Sequence, residues 1–477
     1  MFYQKNGAIY KPNLKKLTVN TFASGLSGEL DEGVRSIGVA EVSYNFDMSN
    51  GALKEGEGVS VLRYAGNQIA VEGNAFPKKI YFYKRYDAVN DRRDDKFLVY
   101  CSDGSMHYYN LYNNNGAYFN KITGLNFTTE PCVINYNYNG DDVILLSSAT
   151  NGLKMLNGEN VTSVDGAPSI TSMCVHNERI FATSSGQGTS LWFSDDFNPT
   201  NWSISLTEAG FINMVDNRGD MLKVLSFSSY LYVFRSYGIS RVTAYADQED
   251  FSVLNLYTSQ SKIYGKSVTM CGDYAIYLAE DGFYKFNGVS ASRIMKRYDK
   301  FLKGVDNLNA EGVFTEGKLY MNVNILIDDE ICNVILVYNV DDGSSYLIKG
   351  CNVISLGLAE GENRYAVCLC KDKKVLYNLE KTGSYEGVAL KKVWRSATTD
   401  FDVPKVKKRL EKITFLTDYD VDLTIVADKR TTKKYKVKGG GVREVKVHLK
   451  GEVFSFEFSC QTEKARIVSP TVYVSYY

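Results

Sequence analysis

Histidine occurs three times in 477 residues, as His107, His176 and His448, each in a different stretch of the chain. A hydrolytic triad needs one of them near a nucleophile and an orienting acid, and none of the three is expected to be catalytic. Adjacent acids occur as Asp94-Asp95, Asp141-Asp142, Asp195-Asp196 and Asp341-Asp342. Such pairs are capable of ligating calcium or of acid and base work. Each adjoins turn residues, so all four are expected to be solvated turn carboxylates. No Gly-x-x-x-x-Gly-Lys-Ser/Thr, Gly-x-Gly-x-x-Gly or His-Glu-x-x-His pattern occurs (Gly312 to Lys318 has the first spacing but is followed by Leu319), so nucleotide, dinucleotide and zincin chemistry have no foothold in the sequence.

Nine cysteines, at 101, 132, 174, 271, 332, 351, 368, 370 and 460, stand mostly beside apolar residues and never as Cys-x-x-Cys. Cys368 and Cys370 share one face of a strand, which alone gives neither a zinc site nor a favourable disulfide. They are read as reduced thiols of the core. No catalytic, cofactor-binding or metal-binding residue is expected, and the chain is not expected to be an enzyme.

Lysine and arginine offer a simpler chemistry. Lys405, Lys407, Lys408, Arg409 and Lys412 form one cluster; Lys429, Arg430, Lys433, Lys434, Lys436 and Lys438 form a second. Residues 391–477 hold 19 basic and 11 acidic residues, a net +8. The chain has 55 of each, so residues 1–390 hold 36 and 44, a net −8. Basic side chains attract phosphates without reading bases. The same charge also suits an acidic neighbouring subunit, where it would steer association. Contact with DNA, contact with a subunit and a solvated surface all remain open for these residues.

The elements that must carry these residues are strands. Tyr occurs 35 times, Phe 24, Gly 39 and Pro 7, a composition suited to many short strands joined by tight turns. Phe97 to Cys101, then Ser102-Asp103-Gly104, then Met106 to Tyr109 reads as a hairpin, and Tyr274 to Leu278, Asp281-Gly282 and Phe283 to Phe286 repeats it. Gly104, Gly152, Gly188, Gly238, Gly282 and Gly343 mark a recurrence of 36 to 61 residues. A propeller blade takes roughly 40 to 50 residues. The fold class expected is all-β: a β-propeller of about six or seven blades over residues 61–390. Residues 1–60, Gly-rich and weakly periodic, are expected to form an N-terminal arm or lid. Longer alternating strands after Val393 predict an antiparallel β-sandwich over residues 391–477. No run approaches the roughly 18 to 20 apolar residues that span a bilayer, and the opening residues lack an apolar signal core, so synthesis and folding in a cytoplasm are expected.

Three stretches carry a resemblance. Thr21-Phe22-Ala23-Ser24-Gly25-Leu26, with Glu41, Asn45-Phe46-Asp47, Gly51-Ala52-Leu53 and Gly58, is similar to the opening of the propeller proteins of phage tails, including the nozzle or packaged-DNA stabilisation proteins of short-tailed phages. His176 to Phe181, Leu191 to Asp195 and Pro199 to Trp202 resemble their recurrent blade signature. Trp394 to Phe401, Lys407-Lys408, Leu449 to Gly451 and Phe454-Ser455-Phe456 resemble their closing sandwich. Ser194 to Trp202 also partly resembles the Asp-box turn of sialidase-like propellers, a structural turn.

The resemblance implies a structural virion protein of the phage tail, assembled in the host cytoplasm. Such a subunit would join a homo-oligomeric ring, expected to be a hexamer, around the DNA exit channel. It would bind head-tail connector or adaptor proteins and tail fibre or tail-tip proteins, touch genomic DNA non-specifically, retain the genome and take part in its ejection. The alternative is a glycan- or receptor-binding propeller of a tail tip.

Overall fold

The structure is a computed structural model that describes residues 14–29, 37–112, 116–205, 208–245 and 247–476. It divides into two compact units. One comprises Val59–Gly343 and Cys351–Glu380, the other Met1–Gly58, Ser344–Gly350 and Lys381–Tyr477.

The first unit is a succession of antiparallel sheets, all but the last laid down in chain order. Their first strands are Pro77–Tyr83, Cys132–Tyr138, Ile170–His176, Met221–Phe227, Thr269–Cys271, Glu311–Thr315 and Val353–Glu360. Successive strands of a sheet pair antiparallel, some through short turns, as between Met221–Phe227, Tyr230–Arg235 and Gly238–Thr243, and others through longer connections, as from Gly238–Thr243 to Ser252–Thr258. Apolar side chains are densest in the first three strands of a sheet; Ser252–Thr258, at an edge, is largely exposed.

Side-chain bonds and strand contacts link neighbouring sheets in turn, Met221–Phe227 reaching the next sheet through the turn Gly265–Ser267 that precedes Thr269–Cys271. Asn135 accepts from the Lys84 amide at 3.0 Å and donates to the Phe82 carbonyl. Cys132 donates to the Ile170 carbonyl, and Ser172 accepts from the Val224 amide at 3.2 Å. Thr269–Cys271 contacts Glu311–Thr315, Glu311 accepts from the Leu356 amide, and Ser355 accepts from the Ile80 amide at 3.3 Å. The last sheet is completed from the other end of the sequence: after Val353–Glu360, Arg364–Cys370 and Tyr377–Glu380 comes Gly58–Val61. Ser60 bonds Asn378 at 2.6 Å, and the Leu62 amide donates to the Leu376 carbonyl. This is a β-propeller.

The irregular glycine spacing has a structural cause. Gly104, Gly152, Gly188, Gly238 and Gly282 all lie at the turn between the second and third strands of their sheets, whereas Gly343 follows the third strand, Glu330–Asn339. The equivalent turn there is Asp328-Asp329, both at positive φ (52° and 63°). Two such residues make the reversed two-residue turn whose twist matches the flanking strands.

The second unit contains two antiparallel sheets. One runs Phe46–Asp47, Leu53–Glu55, Arg466–Tyr476, Lys408–Thr417, Gly441–Gly451, with Leu14–Thr18 also on Arg466–Tyr476; the other runs Ala40–Tyr44, Lys392–Ser396, Phe454–Cys460, Val421–Ala427, Thr431–Val437. Burial alternates residue by residue along Phe454–Cys460 and Gly441–Gly451, as expected for sheets with one wet face. Phe415 of the first sheet meets Phe458 of the second edge to face, ring centroids 5.2 Å apart, so the apolar faces pack together. The expected separate arm over residues 1–60 is corrected here. Among its described residues, Leu14–Thr18, Ala40–Tyr44, Phe46–Asp47 and Leu53–Glu55 are strands of these two sheets, and Phe22 is in their core. The remainder of the predicted arm lies outside the described residues.

Candidate functional site

The histidines do not form a nucleophile–base–acid relay. His107 lies two residues along its strand from Ser105, and its Nε2 is 2.9 Å from the Ser105 hydroxyl. The nearby acid, Asp103, accepts from that same hydroxyl at 2.5 Å rather than from the imidazole. A triad needs the acid on the ring's far nitrogen. Here no carboxylate bonds His107 Nδ1 among the described residues, and burial holds the ring's pKa below the usual range. His176 is buried against Phe181, with Nδ1 2.8 Å from Ser226 Oγ. His448 is exposed and bonds Glu411 at 2.9 Å.

The acidic pairs differ from one another, and Asp94-Asp95 corrects the expectation of solvated turns: both are buried. Burial by itself would raise the Asp94 carboxyl, but bonds from Lys96, Arg85 (2.6 Å) and Asn110 hold it below its usual range. Asp95 accepts from the Arg85 amide, and burial pushes its carboxyl up. Asp195 accepts from the Glu208 amide and the Asn201 side chain, while Trp202 is buried and donates to the Pro199 carbonyl. These bonds are those of a structural turn. Beside it the buried Arg179 pairs with Asp196 and Glu208, both at 2.6 Å. Burial, then the neighbouring Glu208, pushes Asp196 up to about 6. Among the other pairs, Asp142 accepts from the Tyr86 amide and Asp341 is exposed.

The basic residues singled out in the sequence are distributed over two sheets and their turns. Lys408 opens the strand Lys408–Thr417 pointing inward and is fully buried; its ammonium donates to the Val406 and Glu452 carbonyls at 2.9 and 2.8 Å. It fastens a chain crossing, and that burial, which lowers its pKa, removes it from any contact surface. Lys405 and Lys407 are exposed in the preceding loop, and Lys429 and Arg430 in the turn after Val421–Ala427. Lys433 folds back to donate to the Val447 carbonyl. Lys434 and Lys436 stand on the outer face of the other sheet, opposite Thr424 and Asp422, and Lys438 pairs with Asp420 at 2.7 Å.

Arg409 and Lys412 are brought into a group that the sequence reading did not contain. The strand register sets Lys16 beside Tyr473, Tyr473 beside Lys412, and Lys412 beside Lys446, a transverse row over four adjacent strands. Arg409 stands between Ser475 and Lys450 in the adjoining row. Lys412 lies 4.8 Å from the Tyr473 ring centre and pairs with Glu444 at 2.7 Å; Arg409 is 3.4 Å from Glu411. Five cations therefore share one outer sheet face with two carboxylates and His448. Such a face offers multivalent, sequence-blind attraction to an acidic surface. The alternation Glu444, Lys446, His448, Lys450 against Val445, Val447, Leu449 would have revealed half of it. Lys16 comes from the opposite end of the chain and had no local signal.

No family model matches the chain, and no curated protein matches it. Among solved structures, the chain is similar to Raptor of Chaetomium thermophilum (8% identity, TM-score 0.45), covering 67% of this chain but only 29% of that one. It is similar to the RRP9 WD40 repeats (8%, TM-score 0.41), over 68% of this chain and 99% of that one. It is also similar to PorZ, a surface component of the type-IX secretion system of Porphyromonas gingivalis (11%, TM-score 0.37; 79% and 46%).

Proposed function

We propose that the chain is a structural virion protein, a tail nozzle or hub subunit that joins a ring of copies around a DNA exit channel and helps retain the genome. The observation that carries this reading is where the resembling stretches meet. Phe22 of the opening stretch packs on Trp394 of the closing one, ring centroids 4.9 Å apart, and Phe401 stacks against Phe454 and Phe456 of the same resemblance. Segments that look like one family's two ends thus build one core.

In this reading the row Lys16, Lys412, Lys446 with Arg409 meets the acidic residues of a neighbouring copy. Charge complementarity of that kind guides association more than it adds affinity. Carboxylates interspersed on the face temper its pull, and a contact of moderate strength suits a ring that must not clamp passing DNA.

The test is co-purification of the full chain with portal and connector proteins, and electron microscopy of the assembled product. Rings that co-purify with the connector support the reading. A monomer retained on a glycan array would replace it with the glycan-binding alternative. For the charged face, Lys412→Glu combined with Lys446→Glu should abolish rings while leaving the monomer folded. Intact rings with altered DNA retention would move the face to the DNA side.

A further inference from the structure

The first strands of the propeller sheets surround a cavity of about 290 Å3, near the lower end of the range for small-molecule sites. It is lined by Lys79, Glu130, Lys223, Lys266 and Glu311, together with Ser172. The two carboxylates are already committed. Glu311 pairs with Lys79 and accepts from the Leu356 amide. Glu130 pairs with Lys266 at 3.1 Å.

Lys223 is left over. It makes no hydrogen bond or ion pair among the described residues, although it is half-buried on the cavity wall and burial lowers its pKa. The titratable groups that act against this lowering are the thiols of Cys132 and Cys174. Burial pushes both thiols up to about 12, so neither supplies a negative charge near neutrality. A half-buried ammonium that lines a cavity without a counter-charge is left with an unmet demand for one. Beside it, the Ser172 hydroxyl accepts from the Val224 amide at 3.2 Å and has no acceptor for its own proton among the described residues. Cavity charge therefore stands at one positive in excess, three lysines to two glutamates, with two unspent donors on adjacent strands.

We propose that this cavity is a binding site for a compact oxyanion, a phosphate or a carboxylate, held by the Lys223 ammonium and the Ser172 hydroxyl. The anion supplies the missing counter-charge and takes charge-assisted bonds, which are stronger than neutral ones. Lys79, lowered to about 8 chiefly by burial, and Lys266 add a positive background, while Glu130 and Glu311 disfavour highly charged ligands. This site is independent of the ring-forming role.

Inorganic phosphate and succinate are titrated separately into the full-length protein by calorimetry, with thermal unfolding followed in parallel. At least one should bind and raise the unfolding temperature, and the anion that does so identifies the chemistry. Lys223→Met, which keeps the length of the side chain without its charge, should weaken binding at least tenfold, and Ser172→Ala severalfold. Lys223→Arg should retain binding and guards against a folding defect in the methionine variant. Absence of binding by both anions, or binding unchanged in folded Lys223→Met, overturns the proposal.

Discussion

Phe22 and Trp394 meet edge to face at an interplanar angle of 80°, both buried, the one from near the start of the chain and the other from its last third. Removing a buried aromatic to Ala costs about 3–5 kcal/mol, so Trp394→Ala should lower unfolding stability by that much. The indole N–H of Trp394 has no hydrogen-bond partner among the described residues. Trp394→Phe should therefore lose less than half as much, since it discards an unsatisfied buried donor. A double-mutant cycle on Phe22 and Trp394, read by urea unfolding, should give a coupling of about 0.5–1.5 kcal/mol; a coupling near zero would refute the pairing.

Lys407 and Lys408 are adjacent in sequence and opposite in environment. Lys408→Glu would place an acid beside the two carbonyls that Lys408 now serves. A loss of about 3 kcal/mol or more is expected, as for other uncompensated buried charges. Lys407→Glu, on an exposed loop residue, should stay within about 0.5 kcal/mol of the parent. Equal effects in denaturant melts would show that the burial is misassigned.

Ser355 and Ile80 join the last sheet to the first through one side-chain bond of 3.3 Å. Ser355 is completely buried, so Ser355→Ala leaves the Ile80 amide without this acceptor. The expected cost is about 1–3 kcal/mol. Hydrogen exchange at Ile80 should accelerate, and exchange at that amide unchanged from the parent would count against the link.

His107 and His176 both have pKa values lowered in the folded chain, by burial first in each case. Such rings are neutral when folded and take up a proton more readily when unfolded. Their contribution is complete above about pH 6.5, the unfolded value, and is lost as pH falls below it toward the folded values. Each ring changes stability by at most about 1.4 kcal/mol per pH unit. Urea midpoints measured at pH 7.5 and 5.5 should fall at the lower pH, and the fall should shrink in the His107→Gln, His176→Gln double variant. An unchanged fall would assign the pH effect to other groups.

Strand density, the all-β class and the blade-length recurrence were legible because glycine marks the same turn in five sheets. In the sixth sheet the landmark Gly343 falls one turn later, because Asp328-Asp329 makes the equivalent turn without glycine, and the last sheet draws Gly58–Val61 from before the first sheet in sequence. Local pattern carries no information about such pairing. The same limit hid Lys16 from Lys412. Composition made Lys408 look like a surface cation, whereas its place at the inward-facing start of a strand decided its burial. Asp94 and Asp95 read as turn residues because Arg85, Lys96 and Asn110 gather around them only through strand pairing.

Closure by Gly58–Val61 has a bearing on biosynthesis. That segment leaves the ribosome early, yet its partner Tyr377–Glu380 follows more than three hundred residues later. Leu14–Thr18 waits longer still for Arg466–Tyr476. At roughly 5–20 residues per second, the nascent chain spends on the order of 20 to 90 s with these leading edges unpaired. Unpaired strand edges invite pairing with other chains. Several ribosomes translating one message would hold such edges close together, so soluble yield should depend on elongation rate and on holdase chaperones more than the finished protein's stability would suggest.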